Sequence, residues 1–519
     1  MPDTALSDET RFDASASDAR PPVTALVLAN DPTADAAVRA ALTESGAEPV
    51  AGLPASDDRT PHVCCVALVR NDVFGAGDPF QRLPREHVLD VARAMARRGK
   101  GRMVLVTDSG PQVHTGGSAE RAAARAADLA WWRHLAASAA ADGVMVNTAA
   151  FGYAPFLGHA LPAGVEAELL RHLVIRRPAE PADLAGALGL LTSPGPSYLV
   201  GETIALDGGM DLDFIPTPRS GRADSVRTSA ETQLAAALPA GPTEPDRPVT
   251  LVVGASSGIG LASALHLASQ GSDIVLAARR SAALEDVAAL IAKLGRRAWV
   301  LPCDAADAGA VAALADQAWQ AAGRVDRLLY AAGHLEFDSV CTGTDAWDQT
   351  FAVNLGGYST LSAALVRRWI GAAIPGAIAA VASVGSTSVP VTQVEAYGAS
   401  KAAMVQYSRC LAASTARHGI RVNCVCPGII ETPMGEAAGP EFRNGWLSRI
   451  PAGRVGQPAE VAAVLGYLLS PAGAYVTGAR LRVDGGYGLG GLPPLAARGS
   501  SLMEGEGEAV LAGRLGGVR

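Results

Sequence analysis

Short runs that are apolar throughout alternate along this chain with longer stretches in which small and aliphatic residues recur at helical spacing. In the first half the strand-type runs are Val23–Ala29, His62–Arg70, Gly101–Thr107, Val144–Ala150 and Thr203–Leu206. A helical stretch follows the first of them over Ala34–Ser45, and Ala-rich helical segments separate the later ones. The alternation restarts with a strand at Val249–Val253, a helix over Leu261–Gln270, a strand at Asp273–Ala277, a helix over Ala282–Leu294 and a strand at Ala298–Pro302. Further strands are expected at Arg327–Tyr330, Ala377–Ala382 and Arg421–Cys426. Strands without a polar face are covered on both sides, so the pattern predicts an α/β fold with parallel, doubly wound sheets.

The alternation occurs twice because the chain repeats itself. Leu135–Asn147 (L-A-A-S-A-A-A-D-G-V-M-V-N) returns 276 residues later as Leu411–Asn423 (L-A-A-S-T-A-R-H-G-I-R-V-N). Tyr198–Gly209 returns 277 residues later as Tyr475–Gly486, and Ser193-Pro194 keeps that register with Ser470-Pro471. Matches at one offset across a domain's length imply duplication of the whole domain. The first strand lies closer to the Cys64–Val69 run than its counterpart does in the second copy, so a strand–helix unit is expected to be missing from the first copy. The expected division is a leader over 1–20, a truncated first domain over 21–214, a linker over 215–247, a second domain over 248–490 and a tail over 491–519. Pro216, Pro218, Gly221, Pro239, Gly241, Pro242 and Pro245 mark the linker, with one short helix expected at Ala230–Leu238.

Composition narrows the function classes. A chain of 519 residues is too long for one ordinary core. Its net charge of −8 gives no electrostatic reason to expect nucleic acid or an anionic membrane as partner. The seven cysteines (64, 65, 303, 341, 410, 424 and 426) form no C-x-x-C pair and sit mostly in apolar runs. They read as reduced core thiols, with neither a disulfide frame nor a metal site. The acidic N-terminus lacks an apolar signal region and no window is long enough to span a bilayer, so a cytoplasmic protein is expected.

The candidate chemistry lies in the second half. Tyr397 and Lys401 in A-Y-G-A-S-K stand four apart and share one face of a helix, with small Gly398, Ala399 and Ser400 between them. A cation beside a phenol favours the phenolate and brings tyrosine, which titrates near about 10 when free, towards neutral pH. The turn Gly254-Ala-Ser256-Ser257-Gly258-Ile259-Gly260 sits between a strand and a helix, where backbone N–H groups can meet a pyrophosphate at a helix N-terminus. After the next strand stand Arg279 and Arg280, where an NAD site would carry a carboxylate. Guanidinium groups suit a 2′-phosphate, so NADP(H) is preferred over NAD(H), with Arg279 as the main contact.

With these motifs in order, residues 248–488 resemble the short-chain dehydrogenase/reductases, especially their 3-oxoacyl-carrier-protein reductase-like group. The resemblance implies two Rossmann-like domains and hydride transfer between a nicotinamide and a carbonyl or alcohol carbon. It implies adenine contact at Asp304 and a turn at Ala332-Gly333 within Tyr330-Ala-Ala-Gly333, which departs from the family's N-N-A-G in its first two positions. It implies a structural water held by Asn354 in F-A-V-N-L-G, and a nicotinamide-side segment at Pro427, Gly428, Ile430 and Thr432. Ser383 matches the substrate-binding serine by the strand alignment, although its interval to Tyr397 is one residue longer than usual; Ser386 remains the alternative. In these roles Tyr397 is the general acid, Lys401 lowers its pKa and holds ribose, and Ser383 stabilises the substrate oxygen. Pro433–Arg454, with Phe442 and Trp446, matches the substrate-covering segment.

The first copy has lost these parts. Leu28, Pro32 and Ala34 replace the three glycines, Arg121 and Arg125 replace the tyrosine and lysine, and Asp108 falls at the serine's place. His114 and His134 read as ordinary solvated or structural histidines. The first copy is therefore expected to act as a built-in pseudo-subunit, so that a homodimer of the chain imitates a tetramer. The function expected is NADPH-dependent reduction of a 3-oxoacyl thioester or other ketone. The alternatives are an NAD(P)-dependent alcohol dehydrogenase working oxidatively and a non-catalytic NADP-binding scaffold.

Overall fold

A computed structural model describes residues 23–29, 32–50, 63–68, 85–108, 119–157, 163–193, 195, 198–212, 247–337, 347–389, 394–436 and 445–489. The expected leader, the linker with its short helix, the tail, His114 and Phe442 lie outside these residues.

The first half forms a parallel six-stranded sheet from β1 (Val23–Ala29), β2 (Ala47–Val50), β3 (Val63–Leu68), β4 (Gly101–Asp108), β5 (Val144–Phe151) and β6 (Thr203–Leu206), in the order β2-β1-β3-β4-β5-β6. Its helices are α1 (Pro32–Glu44), α2 (Arg85–Arg97), α3 (Ala119–Ala139), α4 (Ala163–His172) and α5 (Pro181–Thr192). The second half forms a seven-stranded parallel sheet from β7 (Val249–Val253), β8 (Asp273–Ala278), β9 (Ala298–Pro302), β10 (Arg327–Tyr330), β11 (Gly376–Val381), β12 (Ile420–Pro427) and β13 (Arg480–Val483), in the order β13-β12-β11-β10-β7-β8-β9. Its main helices are α6 (Gly258–Ser269), α7 (Ser281–Lys293), α8 (Ala308–Ala322), α9 (Tyr358–Ala372), α10 (Glu395–Thr415) and α11 (Pro458–Leu469).

Read from the other edge, the second sheet repeats the first strand for strand and then adds β9. The expected loss of a strand–helix unit is thus a loss at this outer edge, leaving β2 as the counterpart of β8. The apolar pattern did not predict β2, whose sequence is A-E-P-V. Proline cannot donate to a ladder, and Pro49 is tolerated because β2 lies at the sheet's edge.

The repeat is visible in individual bonds. Asn147 Nδ2 donates to Leu199 O at 2.8 Å and its Oδ1 accepts from Glu202 N at 3.0 Å. Asn423, 276 residues on, donates to Val476 O at 2.9 Å and accepts from Ala479 N at 3.0 Å. Both asparagines are buried and tie the same two strands at the same place.

The two halves join across a local two-fold. Tyr198 OH donates to Arg454 O at 3.2 Å, and its mirror Tyr475 OH donates to Arg177 O at 2.9 Å. The Arg454 guanidinium lies 5.2 Å from the Tyr198 ring centroid, and that of Arg177 lies 4.6 Å from that of Tyr475. Each arginine is fixed by two hydrogen bonds to a carboxylate at the start of its own helix, Arg454 to Glu460 on α11 and Arg177 to Asp183 on α5. The helices α5 and α11 are apolar nearly all round, as their burial between the sheets requires. Leu184, Leu188, Leu465 and Leu468 belong to one continuous core that crosses the join.

One interaction breaks the symmetry. Arg482 Nε donates to Glu202 Oε2 at 2.8 Å across the join, with the glutamate side chain 9% exposed. The mirror positions are Ala205 and Ala479, so no second pair exists there. Arg482→Ala is expected to leave Glu202 largely buried without its partner and to cost about 2–4 kcal/mol, read as a lower midpoint in urea denaturation. The double variant Glu202→Ala/Arg482→Ala should recover at least half of that loss, because no charge is then stranded.

Candidate active site

The helix α10 brings Tyr397 and Lys401 to the C-terminal ends of β11 and β12. Gly398 faces the adjacent turn closely, and a Cβ there would touch Gly385 O at 3.4 Å. The turn Val384–Ser386 follows β11, and Ser383 introduces it by accepting a hydrogen bond from Gly385 N at 3.0 Å. The phenol of Tyr397 lies near the Ser383 hydroxyl, which favours its ionised form. Ser386 Oγ instead donates to Ser383 O at 2.6 Å and meets Cys426 Sγ at 3.5 Å. Of the two serines, Ser383 is the one whose hydroxyl acts on the tyrosine.

Lys401 is 3% exposed, and its ammonium donates to Val381 O at 2.8 Å. Burial lowers its pKa from 10.5 to about 8, partly offset by Cys424 and Cys426. Burial also raises the pKa of Tyr397, with the nearby Ser383 hydroxyl acting the other way. The sequence did not reveal the partner of the lysine. Lys401 is bonded to a strand carbonyl, its Nζ is 5.8 Å from the Tyr397 ring centroid, and the phenol is pushed up by lost solvation.

Asn354 is fully buried in a π-helical turn, Ala352–Gly357, immediately before α9. Its Nδ2 donates to His334 O at 3.0 Å and to Ser400 Oγ at 2.9 Å, and its Oδ1 accepts from His334 N at 2.8 Å. The asparagine thus clamps the segment after β10 to α10, between the tyrosine and the lysine. A π turn leaves carbonyls off the regular helical ladder. Tyr330 OH donates to one of them, Val353 O, at 2.6 Å. Tyr330 is one of the two residues that depart from the family's turn, and its hydroxyl supports the asparagine's loop. Sequence reasoning missed both Tyr330 and Ser400, whose only signal was a hydroxyl at a position adjoining a motif.

The cofactor-type residues line the same cavity, of about 930 Å³. Gly254 has φ of 86°, and a Cβ there would stand 2.6 Å from Ala332 N, so only glycine fits between β7 and the turn after β10. A Cβ on Gly260 would stand 2.1 Å from Gly254 O, which holds α6 tight against the loop. The helix α6 begins at Gly258 with Ser257 before it, and no side chain caps its N-terminus. Ser256, Ile259, Ala332, Gly333, Pro427, Gly428, Ile430 and Thr432 complete the walls. Arg279 and Arg280 are exposed at the rim, and Arg280 Nη2 reaches Ser256 Oγ at 3.5 Å. Asp304 is also exposed at the rim, its Oδ1 accepting from Ala306 N at 3.0 Å. A cradle closed to any Cβ, an uncapped helix N-terminus and rim guanidiniums fit a nicotinamide dinucleotide.

The first half offers no such cradle among its described residues. Pro32 opens α1, Ala34 is buried, and the register of β4 and β5 puts Asp108 opposite Phe151, where the second half has Ser383 beside Pro427. Arg121 and Arg125 lie on α3, the counterpart of α10, and His134 is exposed there. Among the described residues no helix is long and apolar enough to cross a membrane, and no cluster of three His, Cys, Asp or Glu could hold a metal. Cys303, Cys424 and Cys426 are buried, whereas Cys410 is exposed on α10, contrary to the expectation of core thiols.

The family model described as enoyl-(acyl carrier protein) reductase matches residues 87–211 and 254–488, in both copies. The chain belongs to the short-chain dehydrogenase/reductase family. Galactitol 2-dehydrogenase (L-tagatose-forming) of Cereibacter sphaeroides is 40% identical over 241 residues, 46% of this chain and 93% of that relative. D-threitol dehydrogenase of Mycolicibacterium smegmatis is 38% identical over 247 residues, 47% of this chain and 93% of that relative. The solved structure of a single-residue variant of actinorhodin polyketide ketoreductase with NADPH is 32% identical and covers 47% of this chain and 98% of its own, with a TM-score of 0.45. This short-chain dehydrogenase/reductase is an NAD(P)-dependent oxidoreductase acting between CH–OH and C=O.

Tyr330→Phe is expected to strand the Val353 carbonyl in a buried site and to destabilise the second half by about 1–3 kcal/mol in urea denaturation.

Proposed function

We propose that the second half reduces a ketone or other carbonyl group with NADPH, and that the first half carries no chemistry. The observation that carries this reading is that the Tyr397 phenol, the Ser383 hydroxyl and the buried ammonium of Lys401 line the cavity that the Gly254–Gly260 cradle opens into. When bound, the nicotinamide supplies the hydride.

Gly254, Ser256, Ser257, Gly258, Ile259 and Gly260 would hold the pyrophosphate, while Arg279 and Arg280 would take the 2′-phosphate and Asp304 the adenine side. Ala332, Gly333, Pro427, Gly428, Ile430 and Thr432 would flank the nicotinamide ribose and ring. Tyr397 Oη donates a proton to the carbonyl oxygen as negative charge develops there. Its raised pKa keeps that proton in place at neutral pH. Ser383 Oγ donates a hydrogen bond to the same oxygen. Lys401, held by Val381 O, places its remaining N–H bonds towards the ribose. Asn354 Oδ1 has one lone pair beyond its bond to His334 N, enough to hold a water on the path from Lys401 to solvent.

Oxidation of a secondary alcohol by the same residues is the second reading, favoured by the relatives named for galactitol and D-threitol. On either reading the enzyme is cytoplasmic and works as a homodimer whose four domains imitate a tetramer. A stable monomer in light scattering would sink the dimer.

The deciding assay follows NADPH consumption over a panel of ketones alongside NADP+ and NAD+ reduction over polyols. Tyr397→Phe should lose at least about 100-fold in kcat/KM. Equal inactivity of wild type and variant on every substrate would instead favour a binding scaffold. Arg279→Asp should weaken NADPH relative to NADH by about tenfold or more, because a charge-assisted contact is replaced by repulsion. The pH dependence has a definite sign. Lys401 carries its proton below about 8 and loses it above, while Tyr397 keeps its own through that range. Reductive kcat/KM should therefore be level below pH about 8 and fall as pH rises through it, and a profile that rises there would contradict the role given to Lys401.

A further inference from the structure

The first half meets the second at the wall of the substrate chamber. The ring of Tyr198 fills a slot between two glycines of the second half: a Cβ on Gly456 would stand 2.4 Å from Tyr198 Cδ1, and one on Gly485 would stand 2.4 Å from Tyr198 Cε2. Those same glycines pack on Ile430 and Ile450, and Gly456 bridges to Ile430, which lines the cavity. Tyr198 also fixes backbone on both sides, its hydroxyl donating to Arg454 O and its carbonyl accepting from Gly485 N at 2.9 Å. Ala452 N in turn donates to Gly485 O at 3.0 Å. Just ahead in the chain stands Trp446, which lines the cavity and stacks on Tyr487 with ring centroids 4.8 Å apart. Trp446, Ile450, Ile430 and Tyr198 belong to one core cluster.

We propose that Tyr198 is a positioning residue for substrate binding, through which the first half holds the chamber wall formed by Ile430 and residues 445–456. The proposal rests on the carbonyl or alcohol site described above. It gives the first copy a function after the loss of its own chemistry: it is the fixed surface against which the other copy's substrate wall is set.

The two-fold supplies the control. Tyr475 makes the mirror contacts, its hydroxyl on Arg177 O and its ring against Gly208, but the structure it steadies belongs to the half without a cradle. Tyr198→Leu and Tyr475→Leu should therefore weaken the join alike and differ in catalysis. Tyr198→Leu is expected to raise KM for the substrate by about tenfold or more, with kcat changed less than about threefold. Its NADPH dissociation constant, measured by cofactor fluorescence, should stay within about twofold of wild type, as should KM in Tyr475→Leu. Tyr198→Phe, which keeps the ring, should restore KM to within about threefold.

Hydrogen exchange reads the same proposal without turnover. Amide protection over 445–456 should fall about tenfold or more in Tyr198→Leu and stay unchanged in Tyr475→Leu. Equal KM changes in the two leucine variants, or unaltered exchange over 445–456 in Tyr198→Leu, would overturn it. If wild type turns over no ketone or alcohol, the proposed chemistry fails and the exchange comparison alone decides the wall. Should the leucine variants not fold, Tyr198→Met and Tyr475→Met carry the same comparison.

Discussion

A buried cation sets the terms of the active site. Lys401 is taken almost wholly out of water, and the effective cost of moving an ammonium into protein is several kcal/mol before compensation. That cost is offset by a hydrogen bond to the carbonyl of Val381 at 2.8 Å, at the end of the interior strand β11. That bond fixes α10 against β11, and Tyr397, one turn earlier, then meets Ser383 just beyond the same strand end. Asn354 completes the arrangement by bonding Ser400, the residue between them, to the backbone of His334. Strand, helix and π turn are each held by a polar group that water cannot reach. The relative positions of phenol, hydroxyl and ammonium are consequently built in rather than left to the ligand.

Much of this was legible in the sequence, and the parts that were not share a cause. The apolar runs located every strand of the second sheet except its last edge, β13, because strands buried on both faces leave an unbroken signature. β2 escaped notice because an edge strand of four residues with a proline has no such signature. The motif residues gathered at one cavity because spacing along strand–turn–helix units fixes where each side chain emerges. Asn354 stands just behind that wall, bonded to its members. The tyrosine–lysine pair was read as neighbours, and the ammonium does lie 5.8 Å from the ring centroid, but its hydrogen bond to Val381 O was not foreseen. Spacing on a helix says which face two residues share, while the partner of a buried ammonium is decided by whichever carbonyl the tertiary fold presents. Tyr330 and Tyr198 were opaque for the same reason, since each acts on backbone far away in sequence.

The duplication explains why half the chain could lose its chemistry without being lost itself. A two-fold join commits each copy to burying the other's α5 or α11 and its tyrosine, irrespective of what either copy's cavity can do. Loss of the outer strand–helix unit alters the sheet edge opposite that join. The apolar faces of α5 and α11 could not be exposed without cost, and the first copy covers the face that the second would otherwise present to water.

Fusion also permits an asymmetry that a homodimer cannot have. In a symmetric pair each contact across the axis occurs twice, so a charge introduced on one side is introduced on both. Here Glu202 and Arg482 form an ion pair whose mirror positions are two alanines. If two second halves met by the same two-fold, each Arg482 would face Ala479; if two first halves met, each Glu202 would face Ala205. Either like pairing would deprive the charge of its partner across the join, and the buried Glu202 would bear the larger cost. The unlike pairing is the one in which Glu202 and Arg482 meet. An ion pair that adds modest stability in itself thus gains its effect by penalising the alternatives, and it keeps the working copy joined to the copy that lost its chemistry.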